Sequence, residues 1–216
     1  MSKLSRDAKV IFLDAGGVLF DTFVKGEQRI INLLLERGYT RSEVVAAIDI
    51  ANEIEKQFIT TWEEEKQYYE RYYGTIAKYL KNKEVAKELF LFTHYAVNCE
   101  LFVEVKQVLE HLSKKYRLAV ISNAMPSMDL VFDRLGIRCY FEAIILSSSV
   151  QLEKPNVAIY ELALKKLSVC NEESVFIDDK KENIYGSEQA GIKGLYLDRS
   201  KQDLEMLLKE YQIWFF

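Results

Sequence analysis

Proline and histidine are nearly missing from this sequence, with two of each among 216 residues. His94 and His111 stand far apart in no partnered spacing, which argues against a histidine metal site or a Ser-His-Asp triad. Cysteine is scarce too. Cys99, Cys139 and Cys170 show no metal-ligand spacing, and an odd, scattered set points to reduced thiols and a cytoplasmic setting. No basic block occurs and the net charge is −4, which argues against nucleic acid as the main partner. No apolar run reaches the roughly 18 residues of a membrane span, and no apolar signal segment opens the chain, whose leader Met1–Lys9 is short and polar. Neither membrane insertion nor a signal peptide is expected.

Hydrophobic residues make up 49% of the chain, enough for a sizeable core and against global disorder. The length suits one large domain or one domain with an insertion. The most informative stretch is Lys9–Thr22, KVIFLDAGGVLFDT. Val10-Ile11-Phe12-Leu13 is a short apolar run without alternation, as in a strand buried on both faces of a parallel sheet. It stops at Asp14, and in open α/β sheets ligands bind at the C-terminal ends of strands. Gly16 and Gly17 permit a sharp turn and a close backbone approach to a ligand. Asp14 therefore reads either as a nucleophile or metal ligand, or as an acid that merely ends a strand.

Residues from about Lys25 to Lys115 show helical spacing and no convincing strand. One helix carries Ile30, Ile31 and Leu33–Leu35 and ends at Gly38. Thr40–Glu43 and Thr61–Glu64 fit capping boxes. The first opens a helix with Val44, Ala47, Ile48, Ala51, Ile54 and Phe58 on one side. The second leads into Tyr68, Tyr69, Tyr72 and Tyr73, with a break expected at Gly74 before another helix through Leu80, and a further helix from Glu84 to about Val97. The tyrosines read as core or as a face that closes over a ligand; Trp62, Lys66 and Arg71 would suit that closing face but read first as a solvated one. His94 reads as packed or capping and His111 as exposed. A helix is expected over Val103–Lys115. Strands Arg117–Ile121, Phe141–Leu146, Ser174–Ile177 and Gly194–Leu197 then alternate with helices, one capped by Ser127, one opened by Pro155 at its first position, and others over Lys181–Ala190 and Lys201–Tyr211. The apolar end Ile213–Phe216 reads as packed on the body or as a contact patch. This alternation predicts an α/β fold, a doubly wound parallel sheet with helices on both faces, and a helical block, 22–98, inserted after the first strand.

Four strand ends or following loops then bring polar groups to one edge: Asp14, Ser122-Asn123, Lys154 and Asp178-Asp179. Adjacent acids raise each other's pKa, a cost that a divalent cation removes. Carboxylate oxygens alone suit Mg²⁺, and Lys154 with the Ser122 hydroxyl suits a phosphate beside it. Such an arrangement facing a carboxylate nucleophile is a phosphoryl-transfer site.

The order and content of these motifs resemble the haloacid dehalogenase-like (HAD) superfamily, in its subgroup with a helical cap. Asp14 in FLDAGGVL falls on the first motif, Ser122 in VISNA on the second, Lys154-Pro155 on the third and FIDDKKENI on the fourth. The resemblance implies a Rossmannoid core formed by 1–21 and 99–216, with 22–98 as the cap. It implies that Asp14 attacks phosphorus, and that Mg²⁺ is held by Asp14, Asp179 and the Gly16 carbonyl. Asp178 and Asn183 would act through waters or hold the ligands, and Ser122, the Asn123 backbone and Lys154 would bind the phosphoryl group. Asp21 and Thr22 would lie where core passes into cap, whose closure would exclude water.

One position departs from the family. Its phosphatases usually carry an acid/base aspartate two residues after the nucleophile, where this chain has Gly16, although some relatives carry Gly-Gly or Gly-Asn there. Such a group contributes ~10²–10⁴ in rate. The expectation is thus a slowed Mg²⁺-dependent phosphatase of a small phosphorylated metabolite. The alternatives are a non-catalytic binding or regulatory module, favoured by Gly16, and a haloacid dehalogenase, disfavoured by the paired acids Asp178-Asp179.

Overall fold

A computed structural model describes residues 8–55 and 58–213. The leader before Ala8 and the apolar end after Ile213 lie outside the described residues; Ile213 itself is buried. The chain divides into two compact units, Met1–Asp21 with Leu101–Ala124 and Met128–Phe216, and Thr22–Glu100 with Met125–Ser127. No helix among the described residues is long and apolar enough to cross a membrane.

Strand β1 (Val10–Leu13) is buried at every position. After it, β2 (Phe20–Asp21) closes the segment of the first unit. The second unit holds α1 (Gly26–Glu36), α2 (Arg41–Asn52), α3 (Trp62–Tyr79), α4 (Glu84–Thr93) and α5 (Tyr95–Asn98). Its core joins Ile30, Ile31 and Leu34 to Val44, Ala47 and Ile48, to Tyr73 and Ile76, and to Val85 and Leu89. Burying these helical stripes drives the packing. Both capping boxes form: Thr40 with Glu43, and Thr61 with Glu64.

Several local expectations are corrected. Helix α2 stops at Asn52, leaving Ile54 and Phe58 beyond it, and Phe58 is exposed. Gly74 does not break α3. A helical glycine costs only about 1 kcal/mol, less than the burial of Tyr73, Ile76 and Ala77 around it returns. Other readings hold: Tyr72 and Tyr73 belong to the core, and Trp62, Lys66 and Arg71 are exposed. The last helical stretch is split at His94, which is buried and whose Nδ1 accepts from the Ala96 amide at 3.3 Å. A short strand, β3 (Glu100–Leu101), pairs with β2. His111 is half-buried rather than exposed.

In the first unit follow α6 (Val105–Leu112), β4 (Arg117–Ser122), α7 (Met128–Arg134), β5 (Ala143–Leu146) and α8 (Ser147–Val150). Then come α9 (Val157–Leu167), β6 (Ser174–Asp178), α10 (Lys181–Gln189), β7 (Lys193–Tyr196) and α11 (Leu204–Glu210). The five-stranded sheet runs β5-β4-β1-β6-β7, all parallel. Val10 and Phe12 join Tyr160 and Ala163 of α9 in one apolar cluster, so Ile11 and Leu13 face the other side by strand alternation. Pro155 is not the first residue of α9. It follows a cis peptide after Lys154, and Asn156 caps the helix by accepting from the Ala158 amide at 3.0 Å.

Strand order reverses at β1, with β4 on one side and β6 on the other. The register pairs Leu13 with Val120 and with Ile177. Asp14, Ser122 and Asp178 therefore share the C-terminal edge at the switch point, the ordinary ligand crevice of an open α/β sheet.

Candidate active site

Asp14 leaves β1 with its amide bonded to the Ile177 carbonyl at 2.9 Å, which fixes the carboxylate beside the end of β6. Asp14, Asp178 and Asp179 each offer an oxygen within 4.8 Å of the others. Asp14 and Asp178 are buried and Asp179 is half-buried. The Lys154 ammonium bridges two of them, 2.8 Å from Asp14 Oδ1 and 2.6 Å from Asp178 Oδ2. The Lys154 ammonium thus meets two of the three carboxylates, and Lys180 also acts on the third, Asp179. Burial pushes the Asp178 carboxyl up to about 6, with Lys154 opposing the rise and Asp14 adding to it. Burial also raises Asp179, and the charge of Asp14 adds to that.

Lys154 is 3% exposed, and its placement depends on several neighbours. The Asn123 side chain grips its backbone twice, donating from Nδ2 to the Lys154 carbonyl and accepting from the Lys154 amide, each at 2.8 Å. The Phe176 ring lies with its centroid 5.2 Å from Nζ. Helix α10 packs so closely that a Cβ at Gly186 would come within 2.3 Å of the Pro155 carbonyl. Asp178 accepts from Asn183 Nδ2 at 3.1 and 3.0 Å and from the Lys180 amide at 2.8 Å. Tyr160 in turn donates to the Asn183 carbonyl at 2.7 Å.

Asp178 is thus fully engaged, whereas the other two acids are not. Asp179 Oδ1 is buried without a hydrogen-bond partner among the described residues, and Asp14 Oδ1 meets only the ion pair with Lys154. A buried, unpartnered carboxylate oxygen on Asp179 beside the charge of Asp14 is costly. Oxygen-only donors of this kind fit a hard divalent cation such as Mg²⁺. The turn after Asp14 leaves room for them: Gly17 has φ +84°, and a Cβ there would lie 2.3 Å from Asp179 Oδ2. Nothing lies within 4 Å of a Cβ built on Gly16.

The structure ties Asp14, Asn123, Lys154, Asp178 and Asn183 into one connected network, with Asp179 in the same carboxylate cluster. Ser122, the last residue of β4, is buried at the same edge, and the Ser147 hydroxyl accepts from the Ala124 amide just beyond it at 3.1 Å. The chain passes from one unit to the other between Asp21 and Thr22. Sequence reasoning missed the grip of the Asn123 side chain, Tyr160 and Gly186. Only Gly186 left a signal, a lone glycine inside a helix.

A sequence profile of haloacid dehalogenase-like hydrolases matches residues 8–191. A glyceraldehyde 3-phosphate phosphatase of Methanothermobacter thermautotrophicus is 28% identical over 208 residues, 91% of this chain and 88% of that protein. An (S)-2-haloacid dehalogenase of a Pseudomonas species is 25% identical over 165 residues, 68% of this chain and 72% of the other. The crystal structure of a Bacillus subtilis HAD-hydrolase bound to magnesium is similar with a TM-score of 0.66 at 14% identity, over 96% of this chain and 100% of that one, a likeness of fold alone. The profile runs through both units and through every carboxylate of the edge, and on that span the chain belongs to the haloacid dehalogenase-like hydrolase family.

Proposed function

We propose that this protein is a Mg²⁺-dependent phosphatase of small phosphomonoesters that works through an aspartyl-phosphate on Asp14. The observation that carries this reading is the buried Lys154 ammonium bridging Asp14 and Asp178 beside the open oxygen of Asp179. The similarity to a phosphatase over most of both chains supports it.

The Asp14 carboxylate attacks phosphorus. The ester P–O bond breaks, the alkoxide leaves, and water then hydrolyses the acyl phosphate to inorganic phosphate and free Asp14. Lys154 neutralises phosphoryl oxygens as the Ser122 hydroxyl and the Asn123 amide donate to them. The Asn123 side chain keeps Lys154 in place, and Asn183 keeps Asp178 turned toward Lys154. Asp14, Asp179 and the Gly16 carbonyl would hold a Mg²⁺ ion, which supplies positive charge against the transferring group. Gly16 brings no acid, so the leaving alkoxide takes its proton from water or from the substrate itself. The helical unit acts as the cap, with the substrate choice built into it.

The first test is phosphate release from a panel of small phosphomonoesters, with Mg²⁺ and with chelator, by the wild type and by Asp14→Asn. Mg²⁺-dependent turnover that disappears in the variant is expected. Folded wild type that binds Mg²⁺ but turns nothing over would favour a binding module, the second reading to which Gly16 points.

A further inference from the structure

Asp198-Arg199-Ser200 follows β7, outside every motif of the site. The Arg199 side chain nonetheless reaches back to the turn after Asp14. Its Nε donates to the Gly17 carbonyl at 3.2 Å and its Nη2 to the Val18 carbonyl. Its Nη1 pairs with Glu104, whose Oε1 also accepts from the Leu204 amide at 3.2 Å. The guanidinium carbon lies 3.8 Å from the centroid of the Phe102 ring, and the Phe102 amide donates to the Leu19 carbonyl at 3.2 Å. All three guanidinium nitrogens are used, and the side chain is only 18% exposed.

The amides of the turn are held locally, Gly17 by the Phe20 carbonyl at 2.9 Å and Leu19 by the Ala15 carbonyl at 2.8 Å, while the Gly17 and Val18 carbonyls accept from Arg199. Gly17 is demanded by its positive φ and by the closeness of Asp179. Gly16 is demanded by neither, since it has no positive φ and open space beyond its Cα. Two adjacent glycines give the backbone its widest range of conformations, at the point where the reading above needs a fixed carbonyl. A planar fork that holds two successive carbonyls removes that freedom in a way a lysine point charge does not.

We propose that Arg199, oriented by Glu104 and Phe102, is a positioning residue that freezes the Gly16–Val18 backbone so that the Gly16 carbonyl and Asp14 converge on one cation. This rests on the phosphatase reading for the identity of the cation. The opposing account is that Arg199 only joins the turn to α11 and α6, as any buried ion pair would.

The experiment compares wild type, Arg199→Met, Arg199→Lys and Arg199→Met/Gly16→Ala. Mg²⁺ affinity is read by titration calorimetry, and amide exchange is followed over 16–20. Arg199→Met is expected to weaken Mg²⁺ binding about 10–100-fold, the usual loss when a ligand's support is removed, and to speed exchange in the turn. Arg199→Lys should show a smaller loss of the same kind. Adding Gly16→Ala, which restricts the backbone without a clash, should restore part of the affinity. Variants that melt earlier yet bind Mg²⁺ as tightly as wild type would overturn the proposal, as would a Gly16→Ala addition that rescues nothing. If Arg199→Met does not fold, Arg199→Lys with and without Gly16→Ala gives the same decision. Wild type that binds no Mg²⁺ would overturn the phosphatase reading itself, and so is separable from a failure confined to the Arg199 variants.

Discussion

A methyl group at position 16 would touch nothing within 4 Å, while one at position 17 would sit 2.3 Å from an Asp179 oxygen. The two glycines are therefore not equivalent. Gly16 can accept a carboxylate, and Gly16→Asp is expected to raise turnover of an alkyl phosphate by a factor toward ~10²–10⁴. Poor leaving groups should gain most, because they need the proton most. A variant that binds Mg²⁺ normally and gains less than about tenfold on every substrate would mean that the missing acid is not what limits the enzyme. Asp178 makes a second residue-scale statement. Burial pushes its carboxyl up to about 6 from an ordinary value of 3.8. Such a group contributes stability that is fully present below the ordinary value and lost as pH rises through about 6. A cation at the site favours the ionised form and reverses that trend. Mg²⁺ binding should release up to about half a proton near pH 6 and almost none near pH 8, seen as a buffer-dependent heat at the lower pH only. Asp178→Asn should erase the difference; its persistence would assign the proton elsewhere.

At the scale of elements, α3 shows what a local pattern can and cannot reveal. Its N-terminus was readable because Thr61 and Glu64 cap it through bonds spanning a few residues. Its passage through Gly74 was not, because the packing that overrides the glycine comes from α2 and α4. Nor was Glu65 recognisable as a core residue, since sequence gives a charged side chain no reason to be inside. Yet it is 0% exposed. Its carboxylate accepts from the Ser127 amide at 2.7 Å and hydroxyl at 2.5 Å, with His94 Nε2 at 3.4 Å, and the Ser127 hydroxyl also bonds Tyr95. Glu65→Ala would strand both Ser127 donors in a dry interior, where an unsatisfied polar group costs about 1–3 kcal/mol. A loss of about 3 kcal/mol in urea unfolding is expected. A change below about 1 kcal/mol would show that water replaces the carboxylate.

At the scale of the whole molecule, the working edge was legible because β1, β4 and β6 are short, largely apolar runs that end in or run straight into a polar residue. Asp14, Ser122, Lys154, Asp178 and Asp179 could be aligned by topology alone. The supports could not. Asn123 and Lys154 meet across 31 residues, and Arg199 reaches Gly17 across 182, with no pattern in between that links them. Pro155 looked like a helix opener and instead precedes the Asn156 cap, because one residue type serves two turn geometries.

Met125–Ser127 belongs to the helical unit although the chain on either side of it belongs to the sheet unit. The helical unit is therefore not a simple cassette. Transplanting 22–100 from this chain into a relative, or the reverse, would separate Glu65 from the short segment that answers it. A working chimera of this chain would have to carry both pieces, so its 125–127 must travel with its helices and not with the strand that precedes it.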